Sequence, residues 1–169
     1  MNIEFREATT EDIEEMCTVN RASIEGLADE SYDKAQVAAW VGGVDPELYP
    51  IDSAGAYLLL AERNGDIVGL GWMKPEADEY FDASVDGEIT GIYVHPAVAG
   101  DGIGSRLYDR LEAFARERGV GSLGLWASLN ATSFYDKFGY IRAREQTLEY
   151  EDGIEVPVVE MVKRLNRFN

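Results

Sequence analysis

The stretch from His95 to Leu111 reads HPAVAGDGIGSRLYDRL. Gly100, Gly102 and Gly104 lead into a run with helical apolar spacing, Ile103, Leu107, Leu111 and Phe114. A glycine turn at a helix start suits an anion. The first N–H groups of a helix have no partner within it, they stand at the positive end of its dipole, and glycine lets a phosphate approach the backbone. No basic residue of the loop precedes Arg106, and Asp101 stands in its middle. A phosphate here would be held mainly by main-chain donors. The alternative from these residues alone is a set of glycines that simply turns the chain.

Two common phosphate motifs fit poorly. A dinucleotide fingerprint needs its third glycine at 105, which is Ser105. It also needs an acid at the end of the next strand, which closes Trp126-Ala127-Ser128. A P-loop needs Gly-Lys-Ser/Thr, and none follows. Nucleophile motifs are equally thin. Cys17 lies on the apolar face of a predicted helix, and no G-x-S-x-G elbow occurs. One cysteine and one histidine allow no internal disulfide and no zinc cluster, so no metal is expected. His95, followed by Pro96, reads as a residue that turns the chain.

The elements that must position the loop follow from hydrophobic period. Ile3 to Ala8 alternates as a strand. Thr9 or Thr10 caps a helix with Glu11 and Asp12 in its first turn and Ile13, Met16, Cys17, Ile24 and Leu27 on its apolar face. Lys34 to Val41 is a second helix, and 42–55 is loop or a short helical turn. Tyr57 to Glu62 and Ile67 to Met73 form a hairpin across Asn64-Gly65-Asp66. An acidic loop, 74–86, contains Tyr80 and Phe81. Glu88 to Val94 is a strand, Gly102 to Arg118 a long helix, Ser122 to Ala127 a strand, and Ala131 to Phe138 a helix capped by Gly139. Ile141 to Tyr150 and Glu155 to Leu165 are the last strands, joined at Glu151-Asp152-Gly153. The order is β-α-α-β-β-β-α-β-α-β-β, an α/β chain with one mixed sheet. No linker interrupts it, so residues 1–169 read as one domain.

Thirty-two acids face fifteen bases, only four of them Lys, for a net charge of −17. The acid is spread along the chain, which argues against nucleic acid and anionic membranes as partners. Two readings stay open: attraction of a cationic substrate, or a halophilic protein adapted to a salty cytoplasm. No span or leader is apparent, which points to a cytoplasmic protein.

The arrangement resembles the GNAT superfamily of acyl-CoA N-acyltransferases. The family's Q/R-x-x-G-x-G/A corresponds to Ala99-Gly100-Asp101-Gly102-Ile103-Gly104, and its later A-x-x-F-Y-x-x-x-G-F/Y to Ala131 through Tyr140. Two departures are visible. Ala99 and Asp101 stand where relatives carry polar or basic residues, and Ser128 replaces the family's Asn, with Asn130 nearby. The resemblance implies a GNAT-like, mostly antiparallel sheet flanked by helices, and an N-acetyltransferase using acetyl-CoA without a metal. Its pyrophosphate would lie on the main chain of Gly100, Asp101, Gly102, Ile103, Gly104 and Ser105, and its pantetheine along Ile92, Tyr93 and Val94, with Asn130 close by. Tyr135 would protonate the departing thiolate, Glu88 would serve as base through water, and the Ile92 N–H would meet the oxyanion. Trp40, Trp72, Tyr80 and Phe81 are candidates for the acceptor pocket, with ordinary packing as the alternative. The acceptor would be a small-molecule amine or a protein amino group, and a homodimer is common in the family. A catalytically silent acyl-CoA-binding module and a dinucleotide-binding oxidoreductase are the competing functions.

Overall fold

The computed structural model describes residues 2–26, 31–49, 51, 55–77, 85–150 and 153–165. Leu27, Tyr80, Phe81 and the Glu151-Asp152 half of the last turn lie outside the described residues. The elements are β1 (Ile3–Glu7), α1 (Ile13–Glu25), α2 (Lys34–Gly42), β2 (Tyr57–Arg63), β3 (Asp66–Lys74), β4 (Gly87–Val94), α3 (Ile103–Glu117), β5 (Ser122–Ser128), α4 (Thr132–Lys137), β6 (Ile141–Glu149) and β7 (Glu155–Arg164). Their order is the one read from the sequence. The seven strands form one sheet, β1-β2-β3-β4-β5-β7-β6, in which only β4 and β5 run parallel.

Alternation along the strands sorts the apolar residues onto two faces. Leu59, Ala61, Leu123, Leu125 and Met161 pack with Ile103, Leu107 and Leu111 of α3. Leu58, Leu60, Leu70 and Trp72 pack with Met16, Val19 and Ile24 of α1 and Val37 of α2. Gly69 and Gly71 let α3 sit low on β3. A Cβ at 69 would meet Leu107 Cδ1 at 3.2 Å, and one at 71 would meet Leu111 Cδ1 at 3.1 Å. On α3 the buried positions are Ile103, Leu107, Tyr108, Leu111 and Ala115. Phe114, read as part of the same apolar face, is only partly buried and stacks on Tyr57 with ring centroids 4.1 Å apart.

Local details differ where polar groups take control. Glu11 and Asp12 sit in a 3₁₀ turn, Thr10–Asp12, rather than in the first turn of α1. Asp12 explains this: its Oδ2 accepts from the Thr9 N–H at 2.7 Å, and both its oxygens accept from Arg6 at 2.8 Å. The Asn64-Gly65 turn has φ of 54° and 85°, the left-handed pair that a two-residue hairpin requires.

Candidate active site

The site begins with a failure of pairing. β4 and β5 stay in register for two residue pairs, Gly87–Leu123 and Glu88–Gly124, and then part. Between them lies a cavity of about 290 Å³. β4 lines it from Thr90 to Val94 and β5 from Trp126 to Ser128; Gly104, Asn130, Phe134 and Tyr135 close one side, Ser23 and Trp40 the other. Helices α3 and α4 cover one face of the sheet and α1 and α2 the opposite face. The cavity therefore passes through the sheet.

A bulge in β4 sets the directions of its side chains. Trp72 pairs with Gly91 and Met73 with Ile89, so Thr90 is an extra residue. Ile89 and Ile92, three apart, consequently share the α3 face, where regular alternation would oppose them. Glu88, next to Ile89, points to the α1–α2 face. It is 1% exposed and does not line the cavity. Lys74 Nζ stands 3.7 Å from its Oε1, and the Thr90 hydroxyl donates to its Oε2 at 3.4 Å. Thr90 does line the cavity, so Glu88 is one hydroxyl removed from it.

Tyr93 also faces α1 and α2. Its ring folds back over Gly91, where a Cβ would meet Cε2 at 2.5 Å. Burial, helped by the nearby Tyr150, pushes its hydroxyl up to about 12. Tyr135, on α4, reaches the cavity from the other face. Its ring packs edge-on against Phe134 and Tyr140, at 5.0 and 5.6 Å between centroids. Among the described residues its hydroxyl has no hydrogen-bond partner. Burial first, and Tyr93 second, raise it well above the ordinary tyrosine value, so it stays protonated at neutral pH.

The glycine loop lies at the mouth. Gly100 and Gly102 hold φ of 90° and 81°, a region closed to most side chains. Gly102 caps α3, and its carbonyl accepts from the Arg106 N–H at 3.1 Å. The Asp101 N–H is directed inward, to the Val98 carbonyl at 3.3 Å, while its side chain is exposed. Ile103 is 1% exposed and buries its side chain in the core, so only its backbone faces the loop. Phe134 packs against Gly104, 3.4 Å from where a Cβ would stand.

Of the residues selected from sequence, Ile92, Tyr93, Val94, Gly104, Asn130 and Tyr135 meet in the cavity. Trp40 joins them, whereas Trp72 is core, packed between the rings of Tyr49 and Tyr93. His95 turns the chain, its Nδ1 accepting from the Ala97 N–H at 3.0 Å. Cys17 is buried in the α1 core. Ser23, Thr90, Gly91, Trp126 and Phe134 were not selected as site residues. Thr90 and Gly91 are marked by the bulge, which sequence does not display. Phe134 lies within the quoted A-x-x-F-Y motif.

Residues 20–140 match the model of the acetyltransferase (GNAT) family. The chain belongs to the GNAT family. A GCN5-related N-acetyltransferase from Rhodopseudomonas palustris superposes with a TM-score of 0.83 at 29% identity, covering 98% of this chain and 97% of that one. The PaiA N-acetyltransferase of Thermoplasma acidophilum, solved with coenzyme A, shares the fold at 20% identity and a TM-score of 0.73, over 98% and 100% of the two chains. The mycothiol acetyltransferase of Sanguibacter keddieii is 39% identical over 101 residues, 56% of this chain and 30% of that relative. The chain thus spans under a third of the length of that curated relative. Among the described residues no helix is long and apolar enough to cross a membrane.

Proposed function

We propose that the chain transfers an acetyl group from acetyl-CoA to a primary amine by direct attack. The observation that carries this reading is the cavity at the β4–β5 split, with Tyr135 on one face and Glu88 behind Thr90 on the other. The thioester arm lies along Ile92 to Val94, its carbonyl oxygen meeting a β4 N–H. The pyrophosphate lies at the start of α3 on main-chain donors of the Gly100–Ser105 loop. The amine enters from the side of Ser23, Trp40 and Tyr93.

A lysine-like amine holds its proton to about pH 10.4 and must lose it to attack. The proton passes to the Thr90 hydroxyl while the Thr90 proton passes to Glu88. The amine nitrogen bonds to the acetyl carbon, and the C–S bond breaks. Negative charge grows on sulfur, where the Tyr135 hydroxyl donates. Cys17 does not line the cavity, which is consistent with a route lacking an acyl-enzyme.

The test is thiol release from acetyl-CoA over a panel of amines and peptide amino groups. Saturable release with at least one acceptor supports the reading. Tight binding of acetyl-CoA with no release over any acceptor would favour a silent binding module. Preference for NADH over acetyl-CoA would favour an oxidoreductase.

A further inference from the structure

The glycine loop from Ala99 to Ser105 carries no basic residue of its own. Acids outnumber bases by more than two to one in this chain. Five of the described cations are taken up by carboxylates: Arg6 by Asp12 and Glu62, Lys74 by Glu88, Arg116 and Lys163 by Glu112, Arg142 by Asp136. Three cations of α3 and α4 make no ion pair among the described residues and rest on aromatic rings instead. Arg106 and Arg110 share Phe5, at 4.9 and 4.3 Å from its centroid, and Lys137 Nζ lies 5.1 Å from that of Phe134. A ring holds a cation by its quadrupole and leaves its N–H donors unused.

Of the three, Lys137 alone rests on a ring that lines the cavity. Phe134, on which it rests, lines the cavity and packs on Gly104 in the first turn of α3. Phe5, by contrast, is on β1, far along the sheet from the β4–β5 split. The carboxylate next to Lys137 in the chain, Asp136, is engaged by Arg142 at 3.0 Å. We propose that Lys137, held on Phe134, is the cation that meets the phosphates of the coenzyme, doing from α4 what a basic loop residue would do at 99 or 101. This rests on the acetyl-CoA reading above.

The experiment is calorimetric titration of coenzyme A and 3′-dephospho-coenzyme A into the wild type, Lys137→Gln, Lys137→Arg and Arg110→Gln, with melting curves to establish equal folding. In about 0.1 M salt, Lys137→Gln should weaken coenzyme A about tenfold, as loss of a charge-assisted contact does. In about 1 M salt, where the Debye length is near 3 Å, the loss should shrink to about threefold or less. Lys137→Arg and Arg110→Gln should stay within about twofold of wild type, the charge being kept in one and lying on Phe5 in the other. Loss for both ligands assigns Lys137 to the diphosphate, and loss for coenzyme A alone to the 3′-phosphate; either supports the proposal. Unchanged affinity in folded Lys137→Gln overturns it. So does an equal loss in Arg110→Gln, which would mean a diffuse field rather than a contact. A wild type that binds neither ligand removes the acetyl-CoA reading itself.

Discussion

Tyr93 lies over Gly91 so closely that a β-carbon at 91 would stand 2.5 Å from Cε2 of the ring. Both residues line the cavity on the face shared with α1 and α2. Gly91→Ala should therefore swing Tyr93 outward into the proposed amine entrance. The expected result is a fall in kcat/KM for the amine of at least about tenfold, since small misplacements at a reacting centre are costly. Coenzyme A affinity should change less than about threefold, which titration measures. A fully active Gly91→Ala protein would show that the Tyr93 ring is free to move.

Tyr135 makes the second prediction. Tyr135→Phe should lower kcat about tenfold to a thousandfold with little change in acetyl-CoA binding. Because burial raises this hydroxyl, the wild-type pH–rate profile should show no loss from its ionisation below about pH 10. Unchanged kcat, with the chemical step shown to limit turnover, would remove Tyr135 from the mechanism.

The bond from Thr90 to Glu88 yields a third. If the amine proton travels through both, Glu88→Gln and Thr90→Val should each depress turnover most at the acidic end of about pH 6 to 9, where fewer amines are neutral. The double variant should be no slower than the slower single one, because the two act in series. Thr90→Ser should restore the rate. Equal rates for wild type and Glu88→Gln across that range would point to unassisted deprotonation.

A fourth concerns the tie between β1 and the start of α1. The hydrogen bond from Arg6, strengthened by the Thr9 N–H, holds the Asp12 carboxyl at about 2, below its ordinary value. A depressed carboxyl stabilises the fold above the unfolded value near 3.9, and that contribution is lost as pH falls toward 2. Asp12→Asn should lower stability at neutral pH by about 1 kcal/mol, in line with losing a helix-start contact. In urea unfolding, the gap between the two proteins should close between about pH 4 and 2. A gap independent of pH would mean that shape, not charge, matters at Asp12.

The element order was legible because the hydrophobic pattern changes cleanly along the chain, from a continuous apolar run in Tyr57–Ala61 to helical spacing after Gly102. Gly100, Gly102 and Tyr135 were legible because turn chemistry and a local motif are written within a few residues. The direction of Glu88 was not. It depends on one extra residue, Thr90, in the pairing of β4 with β3, and register is a property of two strands. Trp126 escaped for a similar reason. It becomes a wall of the cavity only because β5 leaves β4 after Gly124. Lys137 escaped because Phe134, the ring it rests on, meets Gly104 only through the packing of α4 against α3.

The split has a thermodynamic side. Past Glu88 and Gly124 the sheet has a seam, and β1–β4 are hydrogen-bonded to β5–β7 through two residue pairs alone. Backbone groups along such a seam are rungs of a ladder left for a guest to complete. An extended arm carrying amide groups, as proposed for the coenzyme, would complete it as an eighth strand does and stitch the halves together. Binding and folding are then linked: whatever occupies the seam raises the melting temperature in proportion to the logarithm of its concentration. Amide protons of β4 and β5 should slow in exchange on binding, while those of the remote β1–β2 pair should scarcely change. On the acetyl-CoA reading, the cofactor would also be a structural brace.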